Sequence, residues 1–214
     1  ISTLGWPEDE KKFQDFWPGV QVAGKDNLRQ QSAMWQAMLM SADLPPSRQI
    51  LIHGFITMDG QKMSKSLGNI VDPVTLVKKY STDAVRYYLL REIPSGEDGD
   101  FSYEKFEQRY NSDLANGIGN LVARVATLGV AISPISAHTD EKITKEIARA
   151  QVACKKGIEE FRLNEALASI WELVGVADKY INDQKPWTMK GDETALGRVI
   201  GSAAAIIGAI TELL

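Results

Sequence analysis

The second half of the chain carries a helical repeat of apolar residues that begins at Tyr103. In its first stretch the apolar side chains recur every three or four positions, as one face of a helix requires: Phe106, Tyr110, Leu114, Ile118, Leu121, Val125, Leu128 and Ile132. Pro134 ends this stretch, because proline cannot continue a helix. Three similar stripes follow, at residues 143–161, 167–181 and 196–210. Four amphipathic helices joined by short links predict an antiparallel helix bundle.

The N-terminal part shows a different order of elements. Residues 20–23 predict a short strand, residues 27–42 a helix, and the mostly apolar residues 49–55 a parallel strand covered on both faces. Asp26 stands where an N-cap of the helix would be. Ligands bind outside the carboxyl ends of strands in such βαβ units, so we expect the turns that follow the two strands to face one crevice.

Between these parts lie two shorter predicted helices and an acidic segment. Asp72 and Pro73 mark the start of the first helix, and residues 83–91 form the second. Residues 94–102 contain three carboxylates, but their spacing is not that of an EF-hand loop. The sequence therefore predicts no metal site in this chain.

The segment from Gly60 to Asn69 contains the densest phosphate-binding chemistry of the chain. Its centre, residues 62–66, reads Lys-Met-Ser-Lys-Ser. Each lysine supplies a positive charge with three donors, each serine a hydroxyl, and the flanking glycines let the backbone approach an anion. These residues are typical of a loop that closes on phosphates, although a short motif of this kind also occurs in solvated turns.

Composition narrows the class of protein. The net charge of −4 argues against indiscriminate nucleic-acid binding, although local basic patches on an acidic protein still hold a phosphate backbone. The single Cys154 lies on an apolar helical stripe and is expected to be buried, which fits a reducing, cytoplasmic setting. The first 20 residues do not resemble a signal peptide, and we expect no membrane partner.

The Lys-Met-Ser-Lys-Ser loop resembles the signature loop of class I aminoacyl-tRNA synthetases. Other stretches stand in the order and spacing of the methionyl-tRNA synthetase family, and together they cover essentially the whole chain: residues 24–26, Trp35, residues 53–55, residues 83–87, residues 96–101 and residues 186–187. The loop indicates the class, whereas Asn120, Arg124 and Trp187 indicate methionine. Without these residues, the synthetases for leucine, isoleucine, valine or cysteine are the alternative class I assignments.

This resemblance implies a fold class and three domains. Residues 1–55 would be the C-terminal part of a Rossmann-like α/β catalytic domain, residues 56–103 the loop and stem-contact region, and residues 104–214 an all-α anticodon-binding bundle. The chain would be mostly helical overall. The family joins methionine and ATP into methionyl-adenylate with Mg²⁺ and then transfers the methionyl group to tRNA(Met), so ATP, Mg²⁺, methionine and tRNA(Met) are the implied ligands.

The resemblance also assigns residues to the ATP and methionine sites. Lys65 is the main phosphate contact, with Lys62 and Ser64 in support, and these three are the candidate catalytic residues. The implied ATP-binding residues are His53, Gly54, Lys62, Met63, Ser64, Lys65 and Ser66. Asp26, Gln31 and Trp35 are assigned to methionine and the adenylate. From the sequence alone, Asp26 is equally well explained as a helix cap and Trp35 as a core residue.

In the bundle, the resemblance assigns Asn120, Arg124, Pro186 and Trp187 to the CAU anticodon. The residue types suit this role, because tryptophan offers a stacking face, arginine a guanidinium for bases or phosphate, and asparagine an amide for a base edge. Asn120 and Arg124 are four residues apart and share one face of a helix. Without the resemblance, a core tryptophan and a solvated polar pair explain the same residues.

Two departures from the family pattern limit what this chain does alone. Gln30 and Gln31 stand where many members carry a Phe-His pair beside the methionine pocket. The family's His-x-Gly-His signature is absent, since the two histidines, His53 and His138, lie in no such motif. We therefore expect an incomplete synthetase that needs an N-terminal catalytic half. The alternatives are one chain of a split enzyme and a stand-alone tRNA-binding module.

Overall fold

A computed structural model describes residues 1–64, 66–130, 139–189 and 191–214 of the chain. Lys65, His138, Ile132 and Pro134 lie outside the described residues, and so do the predictions that involve them.

The N-terminal unit, residues 1–53, is a βαβ arrangement preceded by a short helix. Its main elements are α1 (Glu10–Phe16), β1 (Val20–Gly24), a 3₁₀ turn (Lys25–Asn27), a π-helical stretch (Gln30–Met34), α2 (Trp35–Ser41) and β2 (Gln49–His53). Strands β1 and β2 pair in parallel, from Val20 opposite Gln49 to Gly24 opposite His53. The predicted strand-helix-strand order is confirmed.

Coverage of the parallel strands differs from the prediction. No residue of β2 is fully buried, whereas the apolar sequence predicted cover on both faces. The described sheet has only two strands, and the adjoining apolar cluster contains just three buried residues, Phe13, Leu39 and Leu44. Val22 on β1 is 64% exposed. Much of the apolar surface of the neighbouring helix is exposed as well. This unit therefore has a large apolar surface in contact with solvent.

The middle unit joins a small sheet to two helices. Its elements are β3 (Ile56–Met58), β4 (Gln61–Lys62), α3 (Pro73–Tyr80), α4 (Thr82–Glu92) and β5 (Gly99–Phe101). Strand β3 is central, antiparallel to β4 and parallel to β5. The two helices match the prediction, with the Asp72 and Ser81 side chains accepting hydrogen bonds as N-caps. The sequence did not predict the small sheet.

Aromatic residues hold the middle unit to the first helix of the bundle. Tyr88, Phe101 and Phe106 are at most 2% exposed, and their rings contact one another. Met63 belongs to the Lys-Met-Ser-Lys-Ser segment, residues 62–66, which is called the lysine-serine loop, and it packs against the same cluster. The cluster therefore connects the loop to α4 and to the start of the bundle.

The bundle contains the four helical stretches that the apolar stripes predicted. They are α5 (Tyr103–Arg109), continued by a π-helical stretch (Tyr110–Gly119) and α6 (Asn120–Gly129), then α7 (Glu141–Glu159), α8 (Leu163–Gln184) and α9 (Glu193–Leu213). Asp192 caps α9 through a hydrogen bond from the Ala195 amide, as predicted. The π-helical stretch was not predicted, because the four-residue spacing of Tyr110, Leu114 and Ile118 also fits an ordinary α-helix.

The bundle core is one continuous cluster of buried apolar residues. Leu121, Ile170, Ile181, Ile200 and Ile206 have no exposed surface. Burying each such side chain contributes roughly 1.5–3 kcal/mol to folding. Cys154 is 2% exposed, which confirms that it is a buried apolar residue, and burial raises the pKa of its thiol.

Helix α9 is long and apolar enough to cross a membrane by length and composition, with a mean hydropathy of 1.5 in its most apolar window. Half of that window is buried inside the protein, and Ile200, Ala203, Ile206 and Ile210 are fully covered by the other helices. This burial is typical of the core helix of a bundle.

Candidate functional site

The two polar turns that follow β1 and β2 meet at one edge of the molecule, as predicted. This strand edge is formed by the carboxyl ends of the two strands. Gly24 and His53 end the two strands directly opposite each other. A Cβ atom built on Gly24 would lie 2.8 Å from Oδ1 of Asp26 and 3.6 Å from Cε1 of His53. Glycine at this position therefore leaves the room in which the Asp26 carboxylate and the His53 ring approach each other.

Asp26 does not cap the helix, contrary to the sequence-based expectation. It lies inside the 3₁₀ turn Lys25–Asn27, whose N-cap is Gly24, and its carboxylate accepts a hydrogen bond from the Asn27 side-chain amide at 3.3 Å. The reason is that the helix begins directly at the end of β1, two residues earlier than predicted. The Asp26 side chain is exposed at the strand edge.

His53 and Gly54 continue this edge into the middle unit. The His53 Nδ1 atom lies 2.9 Å from the Gly54 carbonyl oxygen, which only accepts, so Nδ1 donates in this hydrogen bond. A Cβ atom on Gly54 would lie 2.1 Å from the Glu97 carbonyl oxygen. Two backbone segments thus pass so close together that only glycine fits at position 54.

Two lysines gather on the ring of Phe55. The Lys25 ammonium lies 4.4 Å and the Lys62 ammonium 5.9 Å from the ring centre, within the range of cation–π attraction. Asp98 fixes this arrangement, because its carboxylate accepts from the Phe55 amide at 2.7 Å and from Lys25 at 2.5 Å. Lys25, Phe55 and Asp98 were not predicted as site residues, since their contacts join parts of the chain that are distant in sequence.

The lysine-serine loop begins as a β-hairpin. Asp59 and Gly60, with φ of 49° and 75°, form the turn between β3 and β4, and Lys62 is the last residue of β4. The Asp100 carboxylate accepts from the Gly60 amide and from the Thr57 hydroxyl, each at 2.7 Å. The Asp-Gly pair is the sequence signal that could have predicted this hairpin.

Beyond the hairpin, Asn69 closes the loop on itself. Its side chain donates to the Lys62 carbonyl at 3.1 Å and accepts from the Ser64 amide at 2.8 Å. The hydroxyls of Ser64 and Ser66 lie 2.7 Å apart. Asn69 therefore links the Lys62 and Ser64 ends of the loop, and nothing in the sequence marked Asn69 for this role.

Hydrogen bonds keep the two supporting carboxylates ionised. The bond from Lys25, and then that from the Phe55 amide, lowers the pKa of Asp98. The Gly60 amide and the Thr57 hydroxyl lower the pKa of Asp100.

Among the described residues, no group of three or more His, Cys, Asp or Glu side chains is arranged to hold a metal ion. Two of the three carboxylates of residues 94–102 have other roles, because Asp98 holds Lys25 and Asp100 holds the hairpin.

The residues assigned to methionine lie on the helix between β1 and β2. Gln31 is half-buried in the π-helical stretch, and Gln30 beside it is exposed. Trp35 packs against the cluster of Phe13, and its buried indole N–H has no hydrogen-bond partner within the described part of the chain. The structure brings these residues to the same unit as Asp26 but does not show them in contact with it.

Two of the four anticodon candidates, Arg124 and Trp187, meet in the bundle. Arg124 of α6 and Trp187 of the 3₁₀ turn Pro186–Thr188 line one cavity of about 330 Å³, together with Ala123, Thr127 and Leu128. Trp187 is 49% exposed, so it is not a core tryptophan. Pro186 is buried and anchors the turn, and Asn120 lies exposed one helical turn before Arg124.

Two residues of α8 orient the Arg124 guanidinium. It donates to the Asp178 carboxylate at 3.0 Å and to the Asn182 side-chain oxygen at 2.9 Å. These partners, which were not predicted, occupy part of the five-donor fork and leave other donors available. The arrangement combines an oriented positive charge, an exposed aromatic face and an exposed amide, which suits recognition of unstacked RNA bases.

Residues 2–126 match the family model described as tRNA synthetases class I (M). Among curated proteins, the chain is similar to a methionine-tRNA ligase of Caldanaerobacter subterraneus subsp. tengcongensis, with 41% identity over 93% of this chain and 33% of the relative. It is equally similar to a methionine-tRNA ligase of Thermotoga maritima, with 41% identity over 94% of this chain and 33% of the relative. The chain therefore spans about a third of the length of these relatives.

Solved structures give the same result. The fold is similar to that of Mycobacterium tuberculosis methionyl-tRNA synthetase in complex with methionyl-adenylate, with a TM-score of 0.89 and 33% identity over 99% of this chain and 44% of that chain. The free form of the same synthetase matches with a TM-score of 0.88 and 30% identity. These matches confirm the expected fold class.

Proposed function

The chain belongs to the family of class I tRNA synthetases (M), and on this premise we propose that it is the part of a methionine-tRNA ligase that carries the lysine-serine loop and the anticodon-binding bundle. The full enzyme activates methionine with ATP to methionyl-adenylate and transfers the methionyl group to tRNA(Met). One observation carries this proposal: Asp26 and His53 lie at the paired strand ends, and Lys62 lies over the ring of Phe55, two residues after His53.

In the first step the methionine carboxylate attacks the α-phosphate of ATP, an acyl-adenylate bond forms, and pyrophosphate leaves. Negative charge develops on the leaving pyrophosphate. Lys62, Lys65 and the hydroxyls of Ser64 and Ser66 supply positive charge and donors for it. Donors that engage this charge most strongly in the transition state accelerate the step. Magnesium would enter bound to the ATP phosphates.

His53 and Gly54 border the proposed ATP site, and Asp26 the proposed adenylate site. The His53 hydrogen bond to Gly54 leaves Nε2 as the nitrogen that can accept from a ligand. Gln31 and Trp35 are proposed to face methionine, and the indole N–H of Trp35 offers a donor that has no partner within the described residues.

The exposed apolar surface supports a place for the rest of the catalytic domain. Val22 on β1 and Met34, Met38 and Met40 on the neighbouring helix are each more than half exposed, beside a sheet that has only two strands among the described residues. Several exposed apolar side chains on one small unit are the kind of surface that a partner covers. We propose that the N-terminal catalytic half of the ligase packs here, and that residues 1–55, 56–103 and 104–214 are the three functional divisions of this chain. A cytoplasmic location belongs to the same proposal.

The catalytic proposal is tested by methionine-dependent exchange between ATP and pyrophosphate. A full-length protein that contains this segment should catalyse the exchange, and Lys62→Ala should slow it by about 10²–10³-fold, as removal of one transition-state donor does. Lys155→Ala is a matched control, because Lys155 is an exposed lysine on α7, far along the chain from the loop. Equal rates for Lys62→Ala and Lys155→Ala would contradict the proposed role of the loop.

A stand-alone tRNA-binding module is the second candidate function. It is favoured by one observation, the exposed Trp187 beside the oriented Arg124 in a bundle with its own complete core. If this is the whole function, the chain binds tRNA specifically, and a longer protein that contains the chain does not catalyse the exchange between ATP and pyrophosphate. Exchange activity of the full-length protein would exclude it as the whole function.

A further inference from the structure

We propose that Lys25 is a further phosphate-binding residue of the strand-edge site, held in position by Asp98 and by the ring of Phe55. The inference deepens the proposed function and rests on it, because it assumes that the lysine-serine loop handles the phosphates of ATP. It adds a lysine that lies 37 residues before Lys62 in the sequence, outside the loop.

Position is the first argument. Lys25 directly follows the end of β1 and precedes Asp26, so it belongs to the turn where ligands of parallel βαβ units bind. Its ammonium shares the Phe55 ring with that of Lys62. Attraction to the same ring offsets part of the repulsion between the two ammonium groups. A multiply charged anion that reaches both groups would be attracted by each of them.

The backbone of Phe55 is held on both sides, which makes its ring a fixed platform. Its amide donates to Asp98 at 2.7 Å, and its carbonyl accepts from the Gly99 amide at 2.9 Å. The ring is 38% exposed, although a phenylalanine with only a packing role would be expected inside a core. Its exposed position is explained by the two ammonium groups that it supports.

The ion pair with Asp98 leaves Lys25 able to bind a phosphate. An ammonium has three N–H donors, and the two Asp98 oxygens take two of them, which leaves one for a phosphate oxygen. The side chains of Lys25 and Asp98 are 41% and 51% exposed, and a pair this exposed is weak. Asp98 therefore orients Lys25, while a polyphosphate with several charges competes well for its remaining donor.

The titration of inorganic tripolyphosphate into a full-length protein that contains this segment, followed calorimetrically at low salt, tests the proposal. Lys25→Ala and Lys62→Ala should each weaken binding at least fivefold. Phe55→Leu keeps an apolar side chain but loses the aromatic face, and it should weaken binding about twofold to fivefold. Phe55→Tyr should bind as the unmodified protein does, and Lys155→Ala should be without effect. Thermal unfolding of each variant checks that the fold is intact.

The outcomes separate this inference from the proposed function. If Lys62→Ala weakens binding and Lys25→Ala does not, the role of Lys25 is wrong and the loop assignment stands. If neither lysine matters, or the unmodified full-length protein does not bind tripolyphosphate, both the inference and the assignment of the loop to phosphate are contradicted. Equal losses from Phe55→Leu and Phe55→Tyr would show that the ring acts by packing alone, which contradicts its role as a platform for the lysines.

Discussion

The strand edge and the Arg124–Trp187 cavity of the bundle position their candidate functional side chains by different means. At the strand edge, the carboxylates of Asp98 and Asp100 hold Lys25 and the Gly60 turn through hydrogen bonds, and the apolar cluster of the N-terminal unit contains three buried residues among those described. In the bundle, Arg124 on α6 and Trp187 on the turn between α8 and α9 are carried by helices that share a buried core. The first site therefore depends on local polar contacts and close backbone packing, whereas the second depends on the packing of whole helices.

This difference predicts where substitutions act. Changes in the bundle core should lower the stability of the protein, whereas changes at the strand edge should alter phosphate handling and local structure. Changes at the exposed anticodon candidates should alter RNA binding alone.

Truncation of the bundle core should have the largest effect. Ile206→Ala removes a side chain of α9 with no exposed surface and leaves a cavity, so the free energy of unfolding should fall by about 2–5 kcal/mol. Denaturant unfolding measures this change. Ile158→Ala is the control, because Ile158 is 53% exposed, and a surface substitution costs less than about 0.5 kcal/mol. Similar losses for both variants would contradict the described core.

A side chain added at Gly54, where two backbone segments pass closely, should have the second largest effect. Gly54→Ala places a Cβ atom on the Glu97 carbonyl oxygen, so the two segments must move apart, at a cost of about 1–3 kcal/mol. The same movement displaces Phe55 and Asp98, so tripolyphosphate binding should be lost as well. Gly96→Ala is a matched control in the neighbouring segment, because a Cβ there meets no atom within 4 Å. If both variants unfold and bind alike, the close backbone contact is absent.

Trp187→Ala should change RNA binding without changing stability. The side chain is half exposed, so little core packing is lost, whereas one base-stacking face is removed. Stacking of a base on an aromatic ring contributes about 1–3 kcal/mol, so the affinity for tRNA(Met) should fall up to about a hundredfold. Filter binding at several salt concentrations measures it. A large loss of thermal stability would indicate instead that Trp187 is a structural residue.

The smallest effect concerns pH. The lowered pKa values of Asp98 and Asp100 mean that their contacts stabilise the folded state above the pKa of an unfolded aspartate, about 3.9. This contribution is lost as the pH falls through the lowered pKa of the folded state. The amide resonances of Phe55 and Gly60 should therefore shift with midpoints below pH 3.9, and Asp100→Asn should abolish only the Gly60 transition. Midpoints above pH 4 would contradict these hydrogen bonds.

The sequence predicted the helices of the bundle well, because each buries a stripe such as Ile170, Val174 and Ile181 that repeats with the period of a helix. It predicted the parallel pair β1–β2 for a similar reason, since the strands are apolar and are bounded by turns. In both cases the information lies within one continuous segment.

The small sheet could not be predicted in the same way. Strands β3, β4 and β5 are two or three residues long, too short for alternation to be recognised, and β3 pairs with β5 across more than 40 residues of sequence. The contacts of Asp98 with Lys25 and of Arg124 with Asp178 are likewise products of the fold. Among these features that the sequence did not predict, only the hairpin at Asp59–Gly60 has a signal within one short segment, namely the Asp-Gly pair.

The most direct test of the central claim compares two tRNAs. The chain should bind tRNA(Met) with the anticodon CAU at least about tenfold more tightly than the same tRNA with a changed anticodon, because Asn120 and Arg124 would lose their contacts with base edges. The Arg124→Gln variant should reduce this preference, since it removes the charge that Asp178 and Asn182 orient. Equal affinity of the unmodified chain for the two tRNAs would contradict the claim that this bundle reads the methionine anticodon.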